Sequence, residues 1–119
     1  MPFKALLNAL VERVPGAQGA IIADWEGESV DQVGIMDDYD LKVIGAHKGV
    51  ILHSMREVVD RLGDDDLREI VVSTRQTQTL ILPVTKEYYL VLILDRSDML
   101  GRALLEARRC ILALHKEIV

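Results

Sequence analysis

Residues 67–94 read LREIVVSTRQTQTLILPVTKEYYLVLIL, and this stretch decides the fold. It contains three runs rich in Ile, Val and Leu, a composition that favours β-strands. The runs occupy residues 67–74, 77–84 and 88–94. Only two or three residues connect one run to the next. Because connections this short join antiparallel neighbours, the stretch predicts a three-stranded meander.

Around the meander, apolar periodicity predicts three helices and one hairpin. The helices are predicted at 3–14, at 40–62 and after Ser97, which is a candidate N-cap, and the hairpin strands at 18–24 and 29–34. Pro15-Gly16 and Gly63 are expected to end the first two helices, since proline stops a helix and glycine tolerates the turn.

The predicted order of elements is therefore α-β-β-α-β-β-β-α, in a single domain spanning residues 1–119. This order indicates the α+β class, as an α/β sandwich with one five-stranded antiparallel sheet. The last three strands are apolar almost without interruption, which favours helices on both faces of the sheet.

Composition excludes several classes of function. The net charge is −5 and no basic cluster is present, which argues against binding nucleic acid or an anionic membrane. Cys110 is the one cysteine, so no intrachain disulfide is possible. No apolar run approaches the ~20 residues that span a bilayer. These features predict a cytoplasmic protein.

The predicted central helix has more apolar surface than one sheet can cover. With Ile51 at the centre of a helical wheel, apolar residues spread over an arc of about 200°, whereas covering a sheet needs about 100°. The first half of the opposite side has almost no side chain, which would let another backbone approach closely. The residues on this side are Gly45, Ala46, Gly49, His53, Arg56, Glu57 and Asp60. The alternative is that the glycines are merely tolerated and the surplus packs on loops.

The first strand of the meander is expected at a sheet edge. Its Ile70, Val71 and Val72 have no proline or glycine to protect them, and such an edge invites pairing. A symmetric dimer that pairs this strand with its copy would remove the edge and set the two central helices side by side. The predicted dimer interface comprises Ile70, Val71, Val72, Val43, Val50, Leu52 and Val59.

No residue pattern indicates catalysis. The chain has neither a G-x-x-x-x-G-K-[ST] loop nor a G-x-G-x-x-G turn, so no nucleotide site is predicted. We expect no catalytic residue, no cofactor and no metal site, and we predict that the chain is not an enzyme. Trp25, in the hairpin loop, is either a contact residue for a partner or folded back over the sheet.

Residues 14–24 read VPGAQGAIIAD and are followed by Gly27. This stretch resembles the V-x-G-A-x-G-A-x-L-x-D-x-x-G opening of the Roadblock/LC7 family, with Ile22 at the leucine position. The resemblance, which covers nearly the whole chain, implies a profilin-like Roadblock/LC7 fold that dimerises through the strand and helix described above. Many prokaryotic members of the family partner Ras-like GTPases. The resemblance further implies that the surface that binds the partner includes Gly45, Ala46, Gly49, His53 and Arg56.

The leading hypothesis is a non-catalytic homodimer that binds a small Ras-like GTPase, as a regulator, an activator or a scaffold. One alternative is a structural adaptor similar to a dynein light chain, which would bind a helix or strand of a larger partner. Another is a small-ligand sensor, which a cavity above ~300 Å³ with convergent polar groups would favour.

Overall fold

The computed structural model describes residues 2–26, 28–95 and 100–118. Its elements follow the predicted order: α1 (Pro2–Arg13), β1 (Ala17–Asp24), β2 (Ser29–Gly34), α2 (Asp38–Arg61), β3 (Ile70–Ser73), β4 (Thr77–Pro83), β5 (Tyr88–Asp95) and α3 (Leu100–Ile118). The predicted N-cap Ser97 and the loop residue Gly27 lie outside the described residues.

The five strands form one antiparallel sheet in the order β2-β1-β5-β4-β3. The meander is confirmed, and β3 lies at the edge as predicted. Strand β3 is shorter than the predicted 67–74, because the chain before Ile70 turns to other contacts. Leu67 packs on the core beneath α2, and the Glu69 carboxylate pairs with Arg108 of α3.

Helices cover both faces of the sheet, as the apolar strands predicted. On one face, α1 and α3 pack on each other and on residues such as Ile22, Leu80 and Leu92. On the other face, α2 covers a second core that contains Ile21 and Val91. The strands alternate between these two cores, so both of their sides are buried.

Capping residues set where α2 begins and where α1 and α2 end. The Asp37 carboxylate accepts a hydrogen bond from the backbone N–H of Tyr39 at 3.2 Å and caps the start of α2. Gly16 and Gly63 follow α1 and α2 with φ of 85° and 100°, a left-handed conformation that side chains disfavour.

Helix α2 rests on the sheet through its small residues. Leu41, Gly45, Gly49 and Leu52 are its buried positions. A Cβ on Gly45 would lie 3.2 Å from Cδ1 of Ile21, and a Cβ on Gly49 would lie 2.3 Å from the Tyr89 hydroxyl. That hydroxyl donates a hydrogen bond of 2.9 Å to the Gly45 carbonyl. The glycines therefore make room for Tyr89 beneath the helix.

The orientation predicted for this helix is wrong. The helical wheel placed the small residues away from the sheet because they carry the least apolar surface. In the structure they face the sheet, and the large Tyr89 side chain of β5 fills the space beside them. Gly45 and Gly49 consequently lie inside the fold and not on an open partner surface. Leu52, predicted at a dimer interface, is also fully buried in the chain's own core.

We expect Gly49→Ala to destabilise the protein. Alanine favours a helix by about 1 kcal/mol, but the added methyl must displace the buried Tyr89 ring, and such overpacking costs about 1–3 kcal/mol. Loss of the Tyr89–Gly45 hydrogen bond adds about 1 kcal/mol. Urea unfolding should therefore show a net loss of about 1–3 kcal/mol.

Gly101→Ala is the matched control, since nothing lies within 4 Å of a Cβ at this helical glycine. Its free energy of unfolding should be unchanged or up to about 1 kcal/mol higher. Equal effects of the two substitutions would contradict the packing of Tyr89 under α2.

Candidate functional site

With the glycine side of α2 turned inward, two mainly apolar rows lie on its flanks, although Ile44 and Ile51 in the second row are half-buried against the core. At 100° per residue, positions spaced alternately by four and three residues share one side of a helix. We call the first row the outer row; it comprises Tyr39, Val43, Ala46, Val50 and His53. We call the second the edge row; it comprises Ile44, Ile51, Met55, Val58 and Leu62.

The outer row lies on the flank of α2 nearer the β1–β2 hairpin. His53 contacts the Trp25 ring in the turn of that hairpin, with 6.2 Å between the ring centroids. Val50 is 67% exposed, and Tyr39 is exposed as well. Val43 and Val50, predicted at a dimer interface, thus share a surface with Ala46 and His53, which were predicted to bind a partner.

The edge row lies on the opposite flank, toward β4 and β3. Ile44 lines a surface depression together with Thr79 of β4 and Ile93 of β5, which fixes this direction. Met55 and Val58 are exposed, and Leu62 is 73% exposed. The predicted site included none of these three, because the wheel turned them toward the sheet. Val59, which was predicted, is half-buried.

Helix α2 crosses the sheet diagonally. Near its start, the Gln32 side chain of β2 donates to the Asp38 carbonyl at 2.9 Å. Near its end, the Arg56 guanidinium donates to the Lys86 carbonyl in the β4–β5 turn at 3.4 Å. The second half of the helix is therefore displaced toward the β3 side of the sheet, and it carries the most exposed residues of the edge row.

Trp25 folds back over the sheet, which resolves the two alternatives left open by the sequence. Its ring lies 5.5 Å from the Tyr89 ring between centroids, and the Arg56 guanidinium lies 4.5 Å above it. This cation–π contact holds Arg56 against the fold, where the side chain is half-buried. Trp25 and Arg56 therefore stabilise the end of α2.

Strand β3 presents a bare edge. Its inner side pairs with β4 in the register Ile70↔Ile81 and Val71↔Leu80. Ile70 and Val72 pack partly on the core beneath α2. Val71 points to the opposite face and is 38% exposed. Among the described residues no strand lies beyond β3.

The titratable groups with shifted pKa are structural. Burial raises the pKa of the Cys110 thiol to about 11, so the thiol stays protonated at neutral pH. Cys110 packs in the core between the sheet and α1 and α3, as a small hydrophobe. Within 2–26, 28–95 and 100–118, no group of three or more His, Cys, Asp or Glu side chains is arranged to hold a metal ion.

The model of the Roadblock/LC7 domain family matches residues 4–94. The chain belongs to the Roadblock/LC7 family. No protein of curated function matches this Roadblock/LC7 chain in sequence. None of its described helices has the length and apolar character needed to cross a membrane.

Solved structures share the fold at low sequence identity. A Roadblock/LC7 domain from Streptomyces avermitilis has a TM-score of 0.88 at 20% identity and covers 96% of this chain and 95% of its own. Myxococcus xanthus MglB has a TM-score of 0.89 at 16% identity, and the match covers 99% of this chain and 95% of MglB. MglC from Myxococcus xanthus has a TM-score of 0.71 at 24% identity, and the match covers 98% of this chain and 99% of MglC. The likeness confirms the predicted fold.

The buried phenol of Tyr89 predicts a specific pH dependence. Burial, and secondarily the charge of Asp24, raise the pKa of Tyr89 from 10.0 to about 12. Above pH 10 the unfolded phenol ionises and the folded one does not, so the stability from Tyr89 is complete below pH 10 and is lost between pH 10 and 12.

Denaturant unfolding of the protein and of Tyr89→Phe across this range measures the effect. The difference in unfolding free energy should shrink as the pH rises from 10 to 12. A difference that is constant across this range would contradict the buried, neutral phenol.

Proposed function

We propose that this chain is a homodimeric Roadblock/LC7 module that binds a small Ras-like GTPase and carries out no catalysis of its own. The observation that carries the proposal is the pair of apolar rows on α2, which the glycine side leaves exposed in opposite directions. The edge row points toward the β3 side and supports self-association. The outer row remains free for a partner.

The dimer we propose joins β3 to its copy around a twofold axis. Antiparallel pairing would merge two sheets into one of ten strands and satisfy the outer backbone groups of both edges. The second halves of the two α2 helices, displaced toward β3, then approach across the seam. Burying Met55, Val58 and Leu62 would contribute about 1 kcal/mol for each half-exposed side chain.

The partner surface we propose is the outer row, revised from the sequence prediction. Ala46 and His53 are retained from that prediction, and the exposed Tyr39, Val43 and Val50 are added to it. The glycines act from inside the fold by setting the direction of this row. A GTPase partner is supported by the family, whose prokaryotic members often pair with Ras-like GTPases.

A specific observation bears on the small-ligand sensor. A surface depression of about 670 Å³ lies between the end of α2, the β4–β5 turn and α3. Its volume exceeds the ~300 Å³ that would favour a ligand-binding cavity. Three of its charged side chains, however, are engaged within the chain: Arg108 pairs with Glu69, and Arg56 is held by Trp25 and the Lys86 carbonyl. The depression therefore supports a ligand site less strongly than the rows support protein contacts.

We expect Val71→Lys to disrupt the dimer. Across an antiparallel β3 seam, the two introduced ammonium groups would lie close together, and like charges on neighbouring strands are destabilising. Sedimentation velocity at micromolar concentration should show monomer, or the protein should precipitate. Val50→Lys, which places the same charge on the outer row, should remain a dimer. A soluble Val71→Lys dimer of unchanged affinity would count against β3 pairing.

Val50→Lys should instead weaken the binding of a GTPase. Titration of the protein with a Ras-like GTPase encoded nearby, loaded with GDP or with a GTP analogue, tests this by calorimetry. A charge buried in the contact should weaken binding by about tenfold or more. Absence of binding in both nucleotide states would remove the GTPase proposal, and selective capture of a non-GTPase protein would favour the adaptor.

A further inference from the structure

The backbone groups on the outer edge of β3 belong to alternate residues of the strand. Residues along an antiparallel strand bond in turn to the neighbour on one side and to the neighbour on the other. The Thr74 N–H donates to the Thr77 carbonyl at 2.8 Å, so Thr74 bonds toward β4. In the register of β3 with β4, every second residue before Thr74 also bonds toward β4, which leaves the N–H and carbonyl groups of Val71 and Ser73 pointing outward.

Strand β4 agrees with this assignment and limits the length of β3. The Val84 N–H donates to the Tyr88 carbonyl at 2.9 Å, so Val84 bonds toward β5 and the preceding Pro83 occupies a position that bonds toward β3. The register would set Arg68 opposite Pro83. Because proline has no N–H to donate, the ladder between β3 and β4 stops short of this pair and β3 begins at Ile70.

The other edge of the sheet, at β2, is protected against pairing. The register of β1 with β2 shifts between Ile22 and Ala23, and this bulge leaves Val30 without an opposite residue on β1. The next residue, Asp31, forms an ion pair with Lys4, with 3.7 Å between Oδ1 and Nζ. Bulges and charged side chains at an edge disfavour strand pairing. Strand β3 has neither, because its register with β4 is unbroken and its four residues are uncharged.

The outward groups of β3 distinguish between the possible registers of self-pairing. A twofold axis perpendicular to the sheet keeps the α2 helices of both copies on one face. A pairing centred on Val72 bonds Val71 of each copy to Ser73 of the other, and it satisfies every outward N–H and carbonyl group of both strands. Any other centre leaves outward groups of β3 facing residues outside the strand. A pairing centred on Val71, for example, sets Ser73 against Glu69.

We propose that two copies of this chain pair along β3 in one register, with Val72 on the twofold axis and Val71 opposite Ser73 of the second copy. This register rests on the proposed dimer and specifies which residues recognise the second copy. Val72 packs on the core beneath α2. Across the axis it meets its copy at a non-hydrogen-bonded position, where Cα atoms lie ~4.5 Å apart and side chains touch. The cores beneath the two α2 helices would thus become continuous.

Disulfide cross-linking of cysteine variants tests the register. A disulfide needs Cα atoms about 4.4–6.8 Å apart. Val72→Cys places two thiols directly across the axis, so mild oxidation with oxidised glutathione should link the two copies. Val71→Cys alone and Ser73→Cys alone place the two thiols on a diagonal of the seam, ~7–8 Å apart, and should not link them. Gel electrophoresis without a reducing agent detects the link as a band at twice the mass of the chain.

Val71→Cys combined with Ser73→Cys gives a second reading of the same register. Both residues are exposed, so the double variant should fold even if Val72→Cys does not. Its two cysteines lie opposite each other across the seam and should link the copies, although neither does so alone. The unsubstituted protein is the control for Cys110, which is buried and should form no link. Sedimentation velocity under reducing conditions shows whether each variant is a dimer.

The outcomes separate the register from the dimer. Links formed by the double variant and by a folded Val72→Cys, but by neither of the other single variants, support the register. A link formed by Val71→Cys alone or Ser73→Cys alone moves the axis to that residue, which overturns the register and keeps the dimer. A dimer in which the double variant forms no link also overturns the register. A protein that is monomeric with and without the substitutions overturns the register together with the proposed dimer.

Discussion

The structure depends on the contact between Tyr89 and the glycine side of α2. Because Gly45 and Gly49 lack side chains, the Tyr89 ring lies directly beneath the helix and its hydroxyl donates to the Gly45 carbonyl. Trp25 packs on the same ring, and Arg56 lies over Trp25. This stack fixes the rotation of α2 about its own axis, and the rotation determines which residues reach the surface.

The rotation of α2 bears directly on function. The edge row and the outer row leave α2 in opposite directions, so one helix offers separate surfaces to a second copy and to a partner. On the other face of the sheet, α3 stops short of β3 and leaves Val71 open. The bare strand edge thus adjoins uncovered apolar surface on both faces, which is the pattern that strand pairing between two copies would complete.

Sequence patterns predicted the elements that depend on local chemistry. The meander, its edge strand, the helix order and the glycines that end α1 and α2 all follow from runs and turns within a few residues. The rotation of α2 could not be predicted in this way, because it depends on a contact with Tyr89, which lies 44 residues after Gly45 in the sequence. The apolar pattern of the helix itself does not show that a tyrosine ring packs beneath it. One available signal was the spacing of Leu41, Gly45, Gly49 and Leu52, where two leucines bracket the glycines on one side. The position of Trp25 was equally non-local.

The most direct test of β3 self-pairing is hydrogen–deuterium exchange measured over a series of protein concentrations. Backbone amides that gain a partner strand exchange more slowly. If two copies pair, exchange in residues 70–73 should slow as the concentration rises through the micromolar range, while residues 29–34 at the other sheet edge stay unchanged. Exchange in residues 70–73 that stays fast at every concentration would contradict the account.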